Sequence, residues 1–136
     1  MDITEQNLKA DYILKQIFGY SSFRNGQEEI VKNILGGKQT LAIMPTGAGK
    51  SLCYQIPAIA SEEKTVVISP LISLIENQVA DLRENGVKVE KLHSNQSSQN
   101  RVTSWNNFKN GECKILYISP ERLMTCLLYT SPSPRD

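Results

Sequence analysis

The residues best suited to chemistry form a glycine-containing turn, residues 44–51, with the sequence MPTGAGKS. The turn follows a short apolar run and precedes a segment that can be helical. Gly47 and Gly49 let consecutive backbone N–H groups curl around phosphate oxygens, and the positive end of the following helix points at the same anion. Lys50 is placed to contact the β and γ phosphates, and the Ser51 hydroxyl can bind Mg²⁺.

This turn predicts a site for ATP with Mg²⁺ in which Lys50 and Ser51 act in catalysis. Met44 departs from the general pattern, which has Gly or Ala at that position. A glycine-rich turn that merely caps an ordinary helix is the alternative interpretation. The predicted phosphate-binding residues are Thr46, Gly47, Ala48, Gly49, Lys50 and Ser51.

Strand-like and helix-like segments alternate along the chain, which predicts an α/β fold with a parallel sheet covered by helices and ligands at the carboxyl ends of the strands. Short apolar or β-branched runs predict strands at residues 40–44, 65–69, 87–92 and 114–119. Helical spacing of apolar residues predicts helices at residues 5–18, 30–35, 50–60, 71–82 and around 102–108.

Composition limits the classes of protein to consider. With 136 residues the chain is one domain or less, and the net charge of +1 means that any polyanion must be bound locally. Three cysteines without C-x-x-C spacing favour neither a disulfide framework nor a zinc site. Because the N-terminus is acidic and no apolar run is long enough to span a membrane, we expect a cytoplasmic protein that does not contact membranes.

Beyond the nucleotide turn, the chain resembles the RecQ-type ATP-dependent DNA helicases of helicase superfamily two. The resemblance covers residues 13 to about 125 and rests on the segments FGYSSFRNGQEEI, MPTGAGKSLCYQIP, VISPLISL and LYISPERL. It implies a partial RecA-like P-loop NTPase lobe. DEAD-box RNA helicases share the nucleotide turn, but they carry a different upstream glutamine motif and a Pro-Thr-Arg-Glu-Leu type second motif, and are disfavoured.

The resemblance also assigns roles in binding adenine. It implies that Gln27 reads the adenine edge, that Tyr20 packs on the base and that Arg24 assists. An amide offers one donor and one acceptor in a plane, which suits that edge. On the residues alone, the favoured interpretation is that Tyr20 is a core residue and Arg24 a solvated charge.

The segments Ser69-Pro70-Leu71 and Ser119-Pro120-Glu121-Arg122 have a common design, in which a strand ends, serine occupies the turn and proline opens a helix. By resemblance, Ser69, Pro70, Leu71, Ser119 and Arg122 contact single-stranded DNA. Helix capping would explain the serines and prolines equally well. Contacts of this kind read the backbone rather than the bases, which implies a translocase without sequence specificity that acts on single strands and duplex junctions.

The resemblance implies a 3′–5′ DNA helicase that acts in recombination and repair. The Asp-Glu-x-His motif of the family is missing from the sequence, so the chain as written is expected to hydrolyse ATP negligibly. The alternatives are a non-catalytic half-lobe that binds nucleotide or DNA, and another superfamily-two helicase that acts on RNA.

Three regions are expected along the chain: N-terminal helices with the adenine motif (1–37), a partial first lobe truncated before the Asp-Glu-x-His motif (38–125), and a tail (126–136). The tail can be encoded by DNA that resembles a sequencing adapter read in frame; a disordered terminus is the other interpretation. His93 is expected to be a loop residue without a role. Trp105, Phe108 and Cys53 are expected to be packed residues.

Overall fold

The computed structural model describes residues 3–24, 26–44 and 49–130. The chain forms two compact units, Met1–Lys64 and Thr65–Asp136. The elements of the described chain are α1 (Ile3–Gln16), α2 (Gln27–Leu35), α3 (Lys50–Ala60), β1 (Thr65–Ile68), α4 (Ile72–Glu84), β2 (Val89–Leu92), α5 (Ser98–Lys109), β3 (Ile115–Ile118) and α6 (Pro120–Thr130).

The first unit is built from α1, α2 and α3. Apolar residues at helical spacing give α1 a buried stripe that packs on the two other helices. Pro57 lies inside α3, where its ring removes one backbone N–H from the helical ladder. The core of this unit consists of Ala10, Ile13, Leu14, Val31, Ile56 and Ala60.

The predicted strand at residues 40–44 is wrong, because this segment has no regular secondary structure. The side chains of Leu41 and Ile43 are each 88% exposed, whereas a buried strand was expected. A strand needs a partner for its N–H and C=O groups, and the only sheet in the described chain is formed by β1, β3 and β2. Apolar composition alone therefore did not make a strand here.

The second unit contains the parallel sheet, with the strand order β1-β3-β2. The central strand β3 is buried at every position, since helices cover both faces. On one face Leu116 and Ile118 pack with Phe108 of α5, and on the other the Tyr117 hydroxyl donates to Gln78 Oε1 of α4 over 2.8 Å. The predicted α/β class and parallel sheet are confirmed, although each observed strand is shorter than its predicted run.

The predicted region boundaries at 37 and 125 stay predictions. The compact units divide between Lys64 and Thr65, and α6 continues past residue 125 to Thr130. Within the part of the chain that the structure describes, no helix has the length and apolar character needed to cross a membrane.

Two leucines test the buried strand against the exposed segment. Leu116→Ala, in the fully buried centre of β3, should lower the free energy of unfolding by about 2–5 kcal/mol, because it removes packed methyl groups and leaves a cavity. Leu41→Ala should change it by less than about 0.5 kcal/mol, as expected for an exposed side chain. Urea denaturation of the two variants measures both values. A loss of several kcal/mol for Leu41→Ala would mean that Leu41 is buried, as the predicted strand required.

Candidate functional site

At the end of the nucleotide turn, α3 begins without a side-chain cap. Gly49 is the N-cap of α3 and has φ 74° and ψ 40°, the left-handed conformation that favours glycine. Lys50 and Ser51 follow as the first residues of the helix, with Lys50 exposed and Ser51 half-buried. A glycine N-cap has no side chain to accept from the first-turn N–H groups, which leaves them to an external acceptor. Thr46, Gly47 and Ala48 lie outside the described residues.

Gln27, the predicted adenine reader, is tied to this turn. Its Nε2 donates to the carbonyl oxygen of Gly49 over 3.1 Å, and its Oε1 accepts from the backbone N–H of Arg24 over 2.7 Å. The side chain is 1% exposed. Gln27 thus joins the start of α2 to the start of α3, and its contact with adenine stays a prediction.

Tyr20 and Arg24 differ from Gln27 in exposure. The Tyr20 side chain is 48% exposed, and Arg24 is also exposed. Arg24 lines an open pocket of about 850 Å³, together with the outward face of α2 and residues 40–44. Of the three predicted adenine contacts, the structure joins only Arg24 and Gln27 by a described hydrogen bond.

Cys53 lies one turn into α3, where the prediction of a packed residue is confirmed. Its Sγ is 3.9 Å from the Gly49 carbonyl oxygen and 3.8 Å from Met44 Sδ. Burial raises the pKa of the thiol, so the thiol stays neutral beside a turn that is expected to hold phosphate.

In the second unit, the predicted DNA contacts lie at the carboxyl ends of β1 and β3. Ser69 N donates to the Ile118 carbonyl oxygen over 3.1 Å, and Ser119 N donates to the Leu92 carbonyl oxygen over 3.0 Å. These bonds hold the two serines at the same edge of the sheet. Pro70 and Leu71 follow Ser69 and are exposed.

The two serine hydroxyls are used differently. Ser69 Oγ accepts from Leu71 N over 3.2 Å and so shapes the turn before α4. Ser119 Oγ is enclosed and, among the described residues, meets no hydrogen-bond partner of normal geometry. Capping therefore accounts for the Ser69 hydroxyl, and the Ser119 hydroxyl lies near the Glu121 carboxylate in the first turn of α6.

Charged residues flank Ser119. Glu121 is fully exposed, and the pKa of its carboxyl lies below the ordinary value because its own backbone N–H, and then the nearby Ser119 and Ser94 hydroxyls, favour the ionised form. Arg122 lies in a groove beside Trp105 and Leu92, and its Nε is enclosed without a partner among the described residues. A negative and a positive side chain thus lie next to each other at the start of α6.

Sequence reasoning missed a charged network around His93. His93 is only 3% exposed, and its Nε2 lies 2.7 Å from Glu76 Oε2, which also binds Lys91 Nζ over 2.7 Å. Lys91 and then His93 hold the pKa of the Glu76 carboxyl below its ordinary value. Because 17 residues separate Glu76 from His93, no sequence spacing could reveal this contact; it forms only when α4 packs on β2.

Comparison with known proteins identifies the family. A family profile described as DEAD/DEAH box helicase matches residues 24–134. The chain belongs to the DEAD/DEAH box helicase family. The matched residues include Gln27, the nucleotide turn and both serine-proline segments.

The curated relatives confirm the resemblance to RecQ-type helicases. The chain is 49% identical over 113 residues to the ATP-dependent DNA helicase RecQ of Haemophilus influenzae, covering 83% of this chain and 18% of the relative. It is 47% identical over 116 residues to RecQ of Bacillus subtilis, covering 85% of this chain and 20% of the relative. The chain thus spans about a fifth of the length of these proteins.

A solved structure supports the fold. A hypothetical ATP-dependent RNA helicase from Sulfolobus tokodaii superposes with a TM-score of 0.72 and 22% identity, over 93% of this chain and 37% of that structure. The described helices and strands therefore share the fold of that structure.

A pair of glycines tests the contact between Gln27 and the turn. Gly49→Ala forces a left-handed alanine, which costs about 1–2 kcal/mol, and its Cβ would also collide with Gln27 Nε2. Gly37→Ala, at φ 79° and with nothing near a new Cβ, should cost only the conformational part. Chemical denaturation should show a larger loss for Gly49→Ala, and equal losses would mean that Gln27 does not contact the turn.

Proposed function

We propose that this chain supplies the nucleotide-binding part and a portion of the single-stranded DNA surface of an ATP-dependent RecQ-type DNA helicase. The observation that carries the proposal is the start of α3, where left-handed Gly49, Lys50 and Ser51 open a helix without a side-chain cap and Gln27 binds Gly49. A phosphate chain would accept hydrogen bonds from the N–H groups there and would be attracted by the positive charge of Lys50. Curated relatives that are named ATP-dependent DNA helicases support this choice.

In this proposal ATP binds with Mg²⁺. Mg²⁺ usually keeps several waters and takes phosphate oxygens plus a few protein oxygens. The Ser51 hydroxyl fits that role, because it lies next to Lys50 on the first turn of α3. When bound, the ion would neutralise phosphate charge, while Lys50 holds the phosphates from the side of the helix.

Single-stranded DNA would bind along the carboxyl edge of the sheet through its phosphates. Ser69, Pro70 and Leu71 form one turn at this edge, while Ser119 and Arg122 belong to the start of α6. The N-terminus of α6 offers backbone N–H groups, and Arg122 supplies a positive charge. Such contacts bind any sequence, as a translocating helicase requires.

The activity of the whole protein follows from the resemblance and from the names of the relatives. We propose 3′–5′ unwinding of DNA at duplex junctions, in recombination and repair, in the cytoplasm. DNA rather than RNA is favoured because the relatives at 42–49% identity are named DNA helicases, whereas the structure named an RNA helicase is only 22% identical.

The nucleotide site is tested with a lysine pair. Lys50→Ala should weaken binding of a fluorescent ATP analogue to the 136-residue chain by roughly 10- to 100-fold, because hydrogen bonds to charged groups contribute about 1.5–3 kcal/mol. Lys38→Ala, an exposed lysine in the same unit, should leave the affinity unchanged. Equal binding by wild type and Lys50→Ala would reject the site.

A chimera separates a helicase segment from a non-catalytic binding module. The 113 residues that match the Haemophilus influenzae RecQ replace the corresponding part of that protein. Unwinding of forked DNA by this chimera, abolished by Lys50→Ala, would support the helicase proposal. ATP binding that depends on Lys50 in a folded chimera without unwinding would support the non-catalytic alternative.

The DNA surface is tested by two neighbours with opposite charge. Arg122→Ala should weaken binding to labelled single-stranded DNA and reduce the salt slope by roughly 0.7, the value for one lost phosphate contact. Glu121→Gln should strengthen binding, because it removes a carboxylate that competes with phosphate at the start of α6. Lys88→Ala, at the amino end of β2, should change neither, and fluorescence anisotropy across a salt series measures all three. If all three variants bind alike, this edge is not the DNA surface.

A further inference from the structure

Both ring nitrogens of the buried His93 are engaged. Nδ1 accepts from the backbone N–H of Asn95 over 3.2 Å, and Nε2 lies 2.7 Å from Glu76 Oε2. A ring nitrogen that accepts carries no proton, so the neutral imidazole must carry its proton on Nε2 and donate it to Glu76. The side chain therefore connects two parts of the second unit with directional bonds.

The first part is the turn that follows β2. His93 N donates to Gln96 Oε1 over 2.8 Å, and Gln96 N donates to the His93 carbonyl oxygen over 3.4 Å. Ser97 then caps α5 by accepting from Asn100 N over 3.1 Å. The bond from Asn95 N to Nδ1 closes this turn around the imidazole, so the ring fixes the path of residues 93–97.

The second part is α4. Glu76 lies in the first half of α4, which begins directly after the turn formed by Ser69, Pro70 and Leu71. The same Glu76 oxygen also binds Lys91 near the end of β2. Glu76 thus fixes the start of α4 against the carboxyl end of β2 with two charge-assisted contacts.

The turn after β2 also adjoins the turn after β3. Ser119 N donates to Leu92 O, the residue before His93, and the Ser94 hydroxyl helps to stabilise the Glu121 carboxylate at the start of α6. The turns after β1, β2 and β3 therefore share one edge, and the His93–Glu76 bond links the turn after β2 to α4, the helix that follows the turn after β1.

We propose that His93 is a positioning residue for single-stranded DNA: through Glu76 it holds the turn 93–97 in line with the Ser69–Leu71 turn, so that the edge meets the DNA backbone as one preformed surface. This proposal rests on the proposed function. Preformed contacts bind more tightly because less conformational freedom is lost on association. Without the link, the two turns would move independently and the affinity for DNA would fall.

The test compares Glu76→Gln with Glu76→Ala in the 136-residue chain. Both variants remove the same negative charge, so any direct electrostatic effect on DNA binding is equal in the two. Only Glu76→Gln keeps an oxygen that can accept from His93 Nε2–H and from Lys91 Nζ, and the His93 variants below separate the imidazole bond from that of Lys91. We expect Glu76→Ala to bind labelled single-stranded DNA about two- to tenfold more weakly than Glu76→Gln, the effect of one hydrogen bond.

A second pair of variants tests the two hydrogen bonds of the imidazole separately. His93→Asn keeps an acceptor for Asn95 N–H, as Asn does in turns, but is too short to reach Glu76. His93→Gln keeps a donor that reaches Glu76 but loses the acceptor for Asn95. Both should lose DNA affinity, while hydrogen exchange of the Asn95 amide should become faster in His93→Gln only. The ¹⁵N shifts of the wild-type ring should show the proton on Nε2.

The outcomes separate the two proposals. If the wild-type chain shows no salt-dependent DNA binding, the proposed function fails and the positioning role falls with it. If wild type binds but Glu76→Gln and Glu76→Ala bind equally, only the positioning role is rejected. His93→Asn that binds like wild type, with Asn95 still protected, would also reject it. Thermal melts confirm that each variant is folded, and the conservative Gln variants keep the test open if Glu76→Ala unfolds.

Discussion

Parallel pairing on both sides of β3 is the constraint on which the second unit depends. In a parallel sheet every strand runs the same way, so all carboxyl ends meet at one edge. The register of β3 with β1 and β2 aligns Ile68, Ile118 and Leu92, the last residue of each strand. The bonds from Ser69 N to Ile118 O and from Ser119 N to Leu92 O continue this alignment beyond the strands. The turns that carry the DNA-contact candidates follow from that register.

Under the proposed function, the first unit must hold phosphate without a large positive field. The net charge of the chain is only +1, so long-range attraction contributes little. The start of α3 instead offers backbone N–H groups beside one lysine, and Gln27 fixes the carbonyl of Gly49 from the neighbouring helix. A buried amide with directional bonds is costly to displace, since its groups would lose their partners. Gln27 therefore contributes rigidity at the turn, whatever its role toward the base.

The sequence predicted those features whose causes are local. Glycine, lysine and serine at fixed spacing predicted the start of α3. Runs of apolar and β-branched residues that end at a proline predicted β1 and β3. It failed where the cause lies in distant residues: the apolar residues 40–44 suggested a strand, but a strand forms only beside a partner. The contact of His93 with Glu76 was missed for the same reason, because Glu76 becomes its neighbour only through the packing of α4 on β2. Gln27 was recognised through family resemblance, yet its bond to Gly49 could be seen only in the structure.

Under the proposed function, the balance of charges at the carboxyl edge suits a protein that moves along DNA. The proposed DNA surface combines the neutral Ser69 and Ser119 with one cation, Arg122, while the carboxylates of Glu76 and Glu121 stand nearby. The Glu121 carboxylate opposes the approach of phosphate and lowers affinity, and that of Glu76 does so less because Lys91 Nζ lies 2.7 Å from it. A translocating protein must release the strand in every cycle, so contacts that are individually weak but geometrically fixed serve it better than a dense basic patch. Under the proposed function, order at this edge comes from the hydrogen-bonded turns and the His93–Glu76 link, and the nearby acids limit how tightly the strand is held.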